Sequence, residues 1–279
     1  MGEPVIQGSL PELPVLQRAR GRGRIAVRSE AGETRLARLF QEGCGKIRLP
    51  RDAMACGLEA VLINSSGGLT GGDRMDWAAE AADGARLTLT TQACEKVYRA
   101  RDGTAEQRVA LTAGEGARLD WLPQETILFD GGALSRTLEA DLAAGATLLA
   151  VEAVVLGRLA MDETVRTGSL HDRWRIRREG ALVFADDLRL DGPIADVAAA
   201  APVLAGGRAF ASLLLVAEEA ERFLPAVRAA LGAGGGASAF DGKLFARVVA
   251  PDGFALRQAL LPALEALRAG APLPRVWRT

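Results

Sequence analysis

The 279-residue sequence is poor in the side chains that bind soft metals or act as catalytic bases, with one histidine (His171) and three cysteines. A structural zinc site needs four Cys or His ligands, often in paired spacings, and Cys44, Cys56 and Cys94 lack such spacing. A Ser-His-Asp mechanism would have to use His171, yet no G-x-S-x-G motif accompanies it. We therefore predict no stable metal site, no permanently bound cofactor and no catalytic residues.

An excess of charge of one sign is also missing, because the formal net charge is −1. This balance gives no electrostatic basis for binding nucleic acid or an anionic membrane. No early apolar stretch resembles a signal peptide, and the longest apolar region, residues 143–156, is too short to span a bilayer. An odd number of cysteines without metal-type spacing suits a reducing compartment. We expect a soluble, cytoplasmic protein.

What the sequence does contain is a hydrophobic content of 49%, arranged largely as short strands separated by glycine turns. Polar and apolar residues alternate over residues 86–90 and 173–177, as in half-buried strands. Gly-Ala pairs at 84–85, 116–117 and 145–146 each begin such a strand. Repeats at this period suggest successive stacked coils, although a regular β-sandwich predicts a similar pattern. The predicted fold is all-β, with β-helix-like or solenoid-type stacked strands.

Two helices are predicted near the C-terminus, over residues 218–231 and 256–267, where leucines recur at helical spacing. They either cover an open sheet edge or bind a partner. Residues 1–23, rich in proline and glycine, are predicted to form an irregular lead-in. Residues 24–279 are predicted to form a single all-β domain that includes these helices.

The most unusual segment is a loop with the sequence NSSGGLTGGD at residues 64–73, directly after the predicted strand 58–63. Glycines are costly to order, so such a loop persists where φ is positive or where something approaches the backbone closely. A phosphate-binding loop would need a Lys before Ser or Thr, whereas Asp73 and Asp76 would repel a phosphate. A tight double-glycine turn between two strands is the simplest interpretation.

The loop extends to GGLTGGDR at residues 67–74, which closely resembles the GGxxGGDR motif of the UreD (UreH) family of urease accessory proteins. Other blocks resemble the same family in the same order: CGKIRLP at 44–50, TTQACEKVYRA at 90–100, WLPQETILFDG at 121–131 and LPRVWRT at 273–279. Residues 174–177 and 183–192 fit as well. The resemblance therefore extends over roughly residues 43–279, while residues 1–40 are the most variable part.

The resemblance implies a maturation scaffold and not an enzyme. Members of the family bind the F-type accessory protein and, through it, the G-type GTPase. That assembly docks on apo-urease and delivers nickel in a GTP-dependent manner. The resemblance also implies a β-helix-like fold and an internal polar passage for nickel, which would be handled transiently.

A passage should bind Ni²⁺ weakly, so carboxylates, carbonyls and water suit it better than a Cys/His cage. Within the matching blocks, the candidates for transient nickel passage are Asp76, Glu95, Glu125 and Asp130. Each is alternatively an ordinary carboxylate that pairs with an arginine. The loop residues that would shape the passage or a partner surface are Gly67, Gly68, Gly71, Gly72, Asp73 and Arg74. Tyr98 and Trp277 are candidate partner contacts, and Trp121 is expected in the core.

Two other functions compete with this interpretation. A β-solenoid carbohydrate-active enzyme would use paired carboxylates, for which Glu125 and Asp130 are candidates. Five residues apart on one strand, these side chains would face opposite sides, and aromatic residues make up only 5% of the chain. A metal-storage or sensor protein would instead require a tight Ni²⁺ site.

Overall fold

The computed structural model describes residues 17–50 and 57–278. Most of the predicted irregular lead-in, and Cys56, therefore lie outside the described residues. The first strand begins at Arg20, so the prediction that the irregular segment extends to residue 23 is wrong for its last four residues. They belong to the strand because they pair in parallel with a second strand that starts at Arg74. The assignment of residues 24–279 to a single domain stays a prediction.

One of two large sheets has seven strands. They are β1 (Arg20–Glu30), β2 (Glu33–Gly43), β5 (Arg74–Ala81), β8 (Ala105–Ala113), β11 (Ala133–Leu142), β13 (Gly168–Arg178) and β14 (Ala181–Gly192). Their spatial order is β14-β13-β11-β8-β5-β1-β2. Pairing is parallel from β1 to β13, and the two outermost strands, β2 and β14, are antiparallel to their neighbours.

The second sheet has ten strands. They are β3 (Gly45–Arg48), β4 (Leu58–Asn64), β6 (Arg86–Thr91), β7 (Glu95–Val97), β9 (Arg118–Leu122), β10 (Thr126–Leu128), β12 (Thr147–Leu156), β15 (Ala209–Val216), β16 (Gly235–Phe240) and β17 (Lys243–Ala250). The main order is β16-β17-β15-β12-β9-β6-β4-β3, and the short strands β7 and β10 pair beside it.

From β4 to β13 the chain passes back and forth between the two sheets, and each coil of the solenoid has one or two strands in the ten-stranded sheet followed by one in the seven-stranded sheet. The Gly-Ala repeat marks the equivalent corner of three successive coils, where Gly84, Gly116 and Gly145 adopt φ of +67°, +61° and +65°. Only glycine takes this conformation without steric cost. Each glycine is followed by a buried alanine and then by β6, β9 or β12, which are parallel neighbours. The prediction of a solenoid-type all-β fold is confirmed.

Three α-helices are described: α1 (Ile194–Ala199), α2 (Leu224–Leu231) and α3 (Gly253–Leu267). The two predicted C-terminal helices correspond to α2 and α3, and residues 220–223 form a 3₁₀ turn before Pro225, which lies in the first turn of α2. Helix α3 packs on the outer face of β12, β15 and β17, whereas α2 packs mainly against β16, the edge strand of this sheet. The expectation that the helices cover a sheet edge is therefore wrong for α3, which lies on inner strands. Every residue of β15 is buried, because its second apolar face needs this cover.

The C-terminal tail continues this cover. Trp277 is fully buried, and its Nε1 donates a hydrogen bond to the Leu122 carbonyl over 3.0 Å. The Arg257 guanidinium of α3 lies 5.0 Å from the centre of the indole ring. The expectation that Trp277 is exposed and contacts a partner is therefore wrong, because the ring gains more by covering the chain's own sheet.

We expect Trp277→Ala to reduce the free energy of unfolding by about 3–5 kcal/mol, because it removes a buried aromatic side chain. Trp277→Phe retains most of the buried ring area and should lose only about 1–2 kcal/mol, through the unpaired Leu122 carbonyl. Urea unfolding monitored by circular dichroism measures both losses. An alanine variant as stable as the parent chain would show that the tail is not docked.

Candidate functional site

The glycine loop between β4 and β5 lies directly against β7. The Leu69 N–H donates to the Lys96 carbonyl over 2.7 Å, and the Tyr98 N–H donates to the Leu69 carbonyl over 2.8 Å. Gly68 has φ of +149°, and a Cβ there would lie 2.4 Å from Cε2 of Tyr98 and 2.7 Å from the Lys96 oxygen. Position 68 therefore excludes a side chain on two independent grounds, the backbone conformation and the space available.

The second half of the loop is fixed by Asp73, which is buried. Its carboxylate accepts hydrogen bonds of 2.8 Å from the backbone N–H groups of Ala19 and Thr70. A Cβ at Gly71 would lie 2.0 Å from the Asp102 carbonyl oxygen, while Gly72, with φ of +85°, lies against the Arg18 side chain. These contacts give the segment the geometry of a tight turn between two strands.

The first residue after the turn, Arg74, has an exposed side chain. Its Nη2 lies 3.4 Å from a carboxylate oxygen of Glu106 on the neighbouring strand β8. Surface pairs of this kind contribute little to stability. Arg74 therefore lies outside the turn and is free to rearrange toward a partner.

Beside the glycine loop, a cavity of about 180 Å³ opens between the two sheets. Its mouth includes Asn64, Gly67, Ala93 and Glu95, and Trp77 contributes to its inner wall. Polar side chains form part of the interior wall beside apolar ones such as Leu62 and Ile63, whereas the surrounding core is built mainly of Leu, Val, Ala and Trp. A polar chamber in an apolar core is costly unless its groups are hydrogen-bonded or hydrated.

Glu95 is the carboxylate at the mouth. Nδ2 of Asn64 lies 3.2 Å from each of its oxygens, and the same Nδ2 lies 3.2 Å from the Gly68 carbonyl. Burial raises the pKa of Glu95 to about 7, against the opposing effects of the Asn64 amide and the Lys96 N–H. Near neutral pH this carboxyl can both gain and lose a proton.

The inner end of the cavity is formed by a buried arginine. Arg136 of β11 is 1% exposed, and its guanidinium binds Glu152 of β12 at 2.5 Å and Asp172 of β13 at 2.6 Å. Its Nη1 also donates to Oγ1 of Thr126 over 3.1 Å, and Nε1 of Trp121 donates to Glu152 over 2.8 Å. Burial and the neighbouring Asp172 raise the pKa of Glu152, because one cation faces two carboxylates.

Two amide side chains in the cavity wall have polar atoms without a protein partner in the described residues. They are Oε1 of Gln107 on β8 and Nε2 of Gln124, and both residues are buried. Unsatisfied buried polar atoms are rare and are usually satisfied by water. The cavity is large enough for several waters, so these atoms point to a hydrated interior.

Of the four predicted passage carboxylates, only Glu95 lines this cavity. Glu125 lies just behind the wall, where Arg257 of α3 donates to it over 3.1 Å. It also accepts from Sγ of Cys94 over 3.4 Å, and burial raises the pKa of that thiol to about 11. Glu125 thus pairs with an arginine, as its alternative interpretation predicted.

Asp130 and Asp76 lie elsewhere. Asp130 accepts from the N–H groups of Arg166 and Thr167 and from the Arg99 guanidinium at 2.6 Å, and these donors, with Thr167 first, lower its pKa. Asp76 lies on the outer face of the seven-stranded sheet, 3.7 Å from Nε of Arg22. The expectation that Asp76 and Asp130 lie beside an interior passage is therefore wrong.

Tyr98 stands at the outer side of the glycine loop, with 40% of its surface exposed. Its hydroxyl donates to the Gly67 carbonyl over 3.2 Å, and its ring packs edge-on against Phe129 at 5.1 Å. The ring is therefore held in one orientation beside the cavity mouth. Its predicted contact with a partner stays a prediction.

Sequence reasoning missed the interior polar residues Gln107, Arg136, Glu152 and Asp172. The signal was present, because each occupies an inward position of an otherwise alternating or apolar strand, such as ALSRTLEADL for β11. A charged residue at a core position indicates a buried partner of opposite charge. Applying this rule to each strand would have found the cluster.

Within the ranges 17–50 and 57–278, no three His, Cys, Asp or Glu side chains are grouped closely enough to hold a metal ion. None of the helices described in those ranges combines the length and apolar character needed to cross a membrane.

Residues 19–278 match the family model described as UreD urease accessory protein. The chain belongs to the UreD family. Proteins named urease accessory protein UreD from Rhizobium leguminosarum bv. trifolii and Agrobacterium fabrum are each 56% identical to it. These matches cover 94% of this chain and 96% and 92% of the two relatives. The UreD of Chelativorans sp. is 52% identical over 94% of this chain and 95% of its own length.

Membership of the UreD family confirms the resemblance and the expectation of an accessory protein in place of an enzyme. The geometry of the alternative catalytic pair agrees with this assignment. Glu125 is bound by Arg257, and Asp130, with its lowered pKa, is unsuited to act as a general acid. The carbohydrate-active enzyme is not retained.

We expect the pH dependence of stability to reveal Glu95. Its folded pKa of about 7 lies above the ordinary value of 4.5 for a glutamate, so the unfolded chain releases its proton first as pH rises. Stability should therefore fall between pH values of about 4.5 and 7, relative to Glu95→Gln, by up to about 3 kcal/mol. Urea unfolding of both proteins at several pH values measures this difference. If the free energy of unfolding changed with pH in the same way for both proteins, the pKa of Glu95 would not be raised in the folded chain.

Proposed function

We propose that this UreD-family chain acts as a cytoplasmic scaffold in urease maturation. It links the F-type accessory protein and the G-type GTPase to apo-urease and supports GTP-dependent insertion of nickel into the urease active site. Nickel is its transient cargo and follows the polar cavity between the two sheets. Membership of the UreD family supports the link to urease. The cavity between the two sheets is the observation that supports a passage for nickel.

The chemistry of the cavity suits a cation in transit. Carboxylate, amide and water oxygens bind Ni²⁺ less tightly than thiolate or imidazole sets, so they allow release. Glu95 supplies one carboxylate at the mouth, and Gln107 supplies an amide oxygen with no protein partner in the described residues. A hydrated cation would exchange water for these oxygens one at a time.

Arg136 limits how strongly the interior binds a cation. It holds Glu152 and Asp172 by direct ion pairs, so these two carboxylates are not free to chelate nickel as a pair. A buried unpaired dicarboxylate would retain a divalent cation and stop transfer. The guanidinium thus keeps the passage polar without making it a storage site.

The glycine loop connects the cavity mouth with an accessible surface. Gly67 is exposed and lines the mouth, and its carbonyl accepts from the exposed Tyr98 hydroxyl. A partner that binds Tyr98 would therefore cover the mouth. This arrangement supports a loop that joins docking to cargo transfer.

We expect Gly68→Val to abolish either assembly or urease activation, because the added side chain must displace Tyr98 and the Lys96 carbonyl. Gly180→Asn is the matched control, since Gly180 lies in the turn between β13 and β14, a Cβ there meets nothing within 4 Å, and Asn tolerates its φ of +80°. The chain is co-expressed with the F-type protein, the G-type GTPase and apo-urease. Size-exclusion chromatography then shows co-elution, and urease activity reports activation.

A parent chain that elutes alone while every partner is folded would overturn the scaffold proposal. Normal assembly and activation by Gly68→Val would show that the loop is only a turn.

A further inference from the structure

The outer face of the seven-stranded sheet differs from that of the ten-stranded sheet. The chain's own α2, α3 and C-terminal tail cover the ten-stranded sheet, as the buried cluster around Leu260 and Trp277 shows. No described helix covers the middle strands β1, β5, β8 and β11 of the seven-stranded sheet. Their outward side chains face solvent in the part of the chain that the structure describes.

The strand register brings arginines together on this uncovered face. Arg22 of β1 aligns with Asp76 of β5, then with Arg108, Thr137 and Arg173 on the next three strands. These residues are far apart in sequence, so only the parallel stacking makes them neighbours.

The adjacent row begins with Arg24 and continues through Ala78 and Ala110 to Glu139. The two rows border an open groove of about 590 Å³ with a floor of small residues. A groove of this shape leaves room for side chains from a partner to reach the arginines.

The positive charge in the groove is only partly compensated. Among the described residues, Arg24 has no ion pair or side-chain hydrogen bond, and Arg173 reaches only Oγ1 of Thr137 at 3.4 Å. Arg22 is 3.7 Å from its nearest acidic groups. Four arginines line the groove with two carboxylates, Asp76 and Glu139, and Arg108 also pairs with Glu106 at 3.0 Å.

An exposed aromatic ring completes this surface. Phe40 of β2 pairs in register with Arg24 and is 44% exposed. Protein interfaces are enriched in aromatic residues and arginine, which supply most of the binding energy. A groove with an exposed ring, two arginines without an ion pair among the described residues (Arg24 and Arg173) and a floor of alanines therefore has the composition of a docking surface.

We propose that Phe40, Arg22, Arg24, Arg108 and Arg173 form an arginine face that docks an acidic protein surface. The inference rests on the proposed function, because the partner is one of the proteins with which this chain assembles. Carboxylates fit because each guanidinium can bind one bidentately while Asp76 and Glu139 lie between them. A continuous polyanion such as DNA would instead meet these two carboxylates and a chain of net charge −1.

The test uses the full-length double variant Arg24→Glu/Arg173→Glu. The matched control is Arg222→Glu, an exposed arginine of the C-terminal part that pairs locally with Glu219. Both residues of the double variant are exposed, so circular dichroism and thermal unfolding should match those of the parent. Co-elution with the F-type protein, the G-type GTPase and apo-urease is measured at low and moderate salt.

We expect the double variant to lose at least tenfold in affinity for one of these partners, with a reduced salt dependence, while the control assembles normally. Normal assembly by the double variant would overturn the arginine face and leave the scaffold proposal intact. Failure of the parent chain to assemble would overturn both. Binding of DNA or anionic vesicles that is lost in the double variant, with assembly unchanged, would reject the protein partner.

Discussion

The interior of this protein depends on one buried cation, Arg136, which joins the two sheets of the solenoid through Glu152 and Asp172. Removing one member of such a buried cluster typically costs about 3–5 kcal/mol, because the others are left charged and unpaired. The cluster also prevents an apolar core from filling the space beside it. The cavity, with its amide side chains and its mouth at the glycine loop, lies directly beside this buried charge.

Local patterns predicted much of the fold. The Gly-Ala repeat marked three coil corners because each corner needs a positive φ, and alternating residues located strands such as β6 and β13. The helices near the C-terminus followed from leucine spacing. The part of the sheet that these helices cover could not be predicted in the same way. Whether a helix lies on a face or at an edge depends on the pairing of strands that are distant in sequence.

The candidate site was predicted less well. Glu95 lines the cavity, whereas Asp76 lies on the outer face of its sheet. Asp76 follows Met75 and precedes Trp77 on an alternating strand, so its outward orientation could have been inferred. The partners of Asp130 and Trp277 are Arg166 and Leu122, which lie 36 and 155 residues away along the chain, and local sequence does not reveal such contacts. This UreD-family protein thus has a buried charged cluster around Arg136 and a group of arginines on the uncovered outer face of its seven-stranded sheet.

If nickel travels through the cavity between the sheets, as we propose, blocking the mouth of this cavity should slow the delivery of nickel to urease. Ala93 is exposed and lines the mouth, so Ala93→Trp should obstruct entry without disturbing the core. Nickel incorporated into urease is measured in complexes matched for assembly by size-exclusion chromatography. We expect the Ala93→Trp variant to assemble normally and to support nickel incorporation into urease at least tenfold more slowly than the parent chain. Incorporation at the parent rate by the fully assembled variant would contradict this proposal.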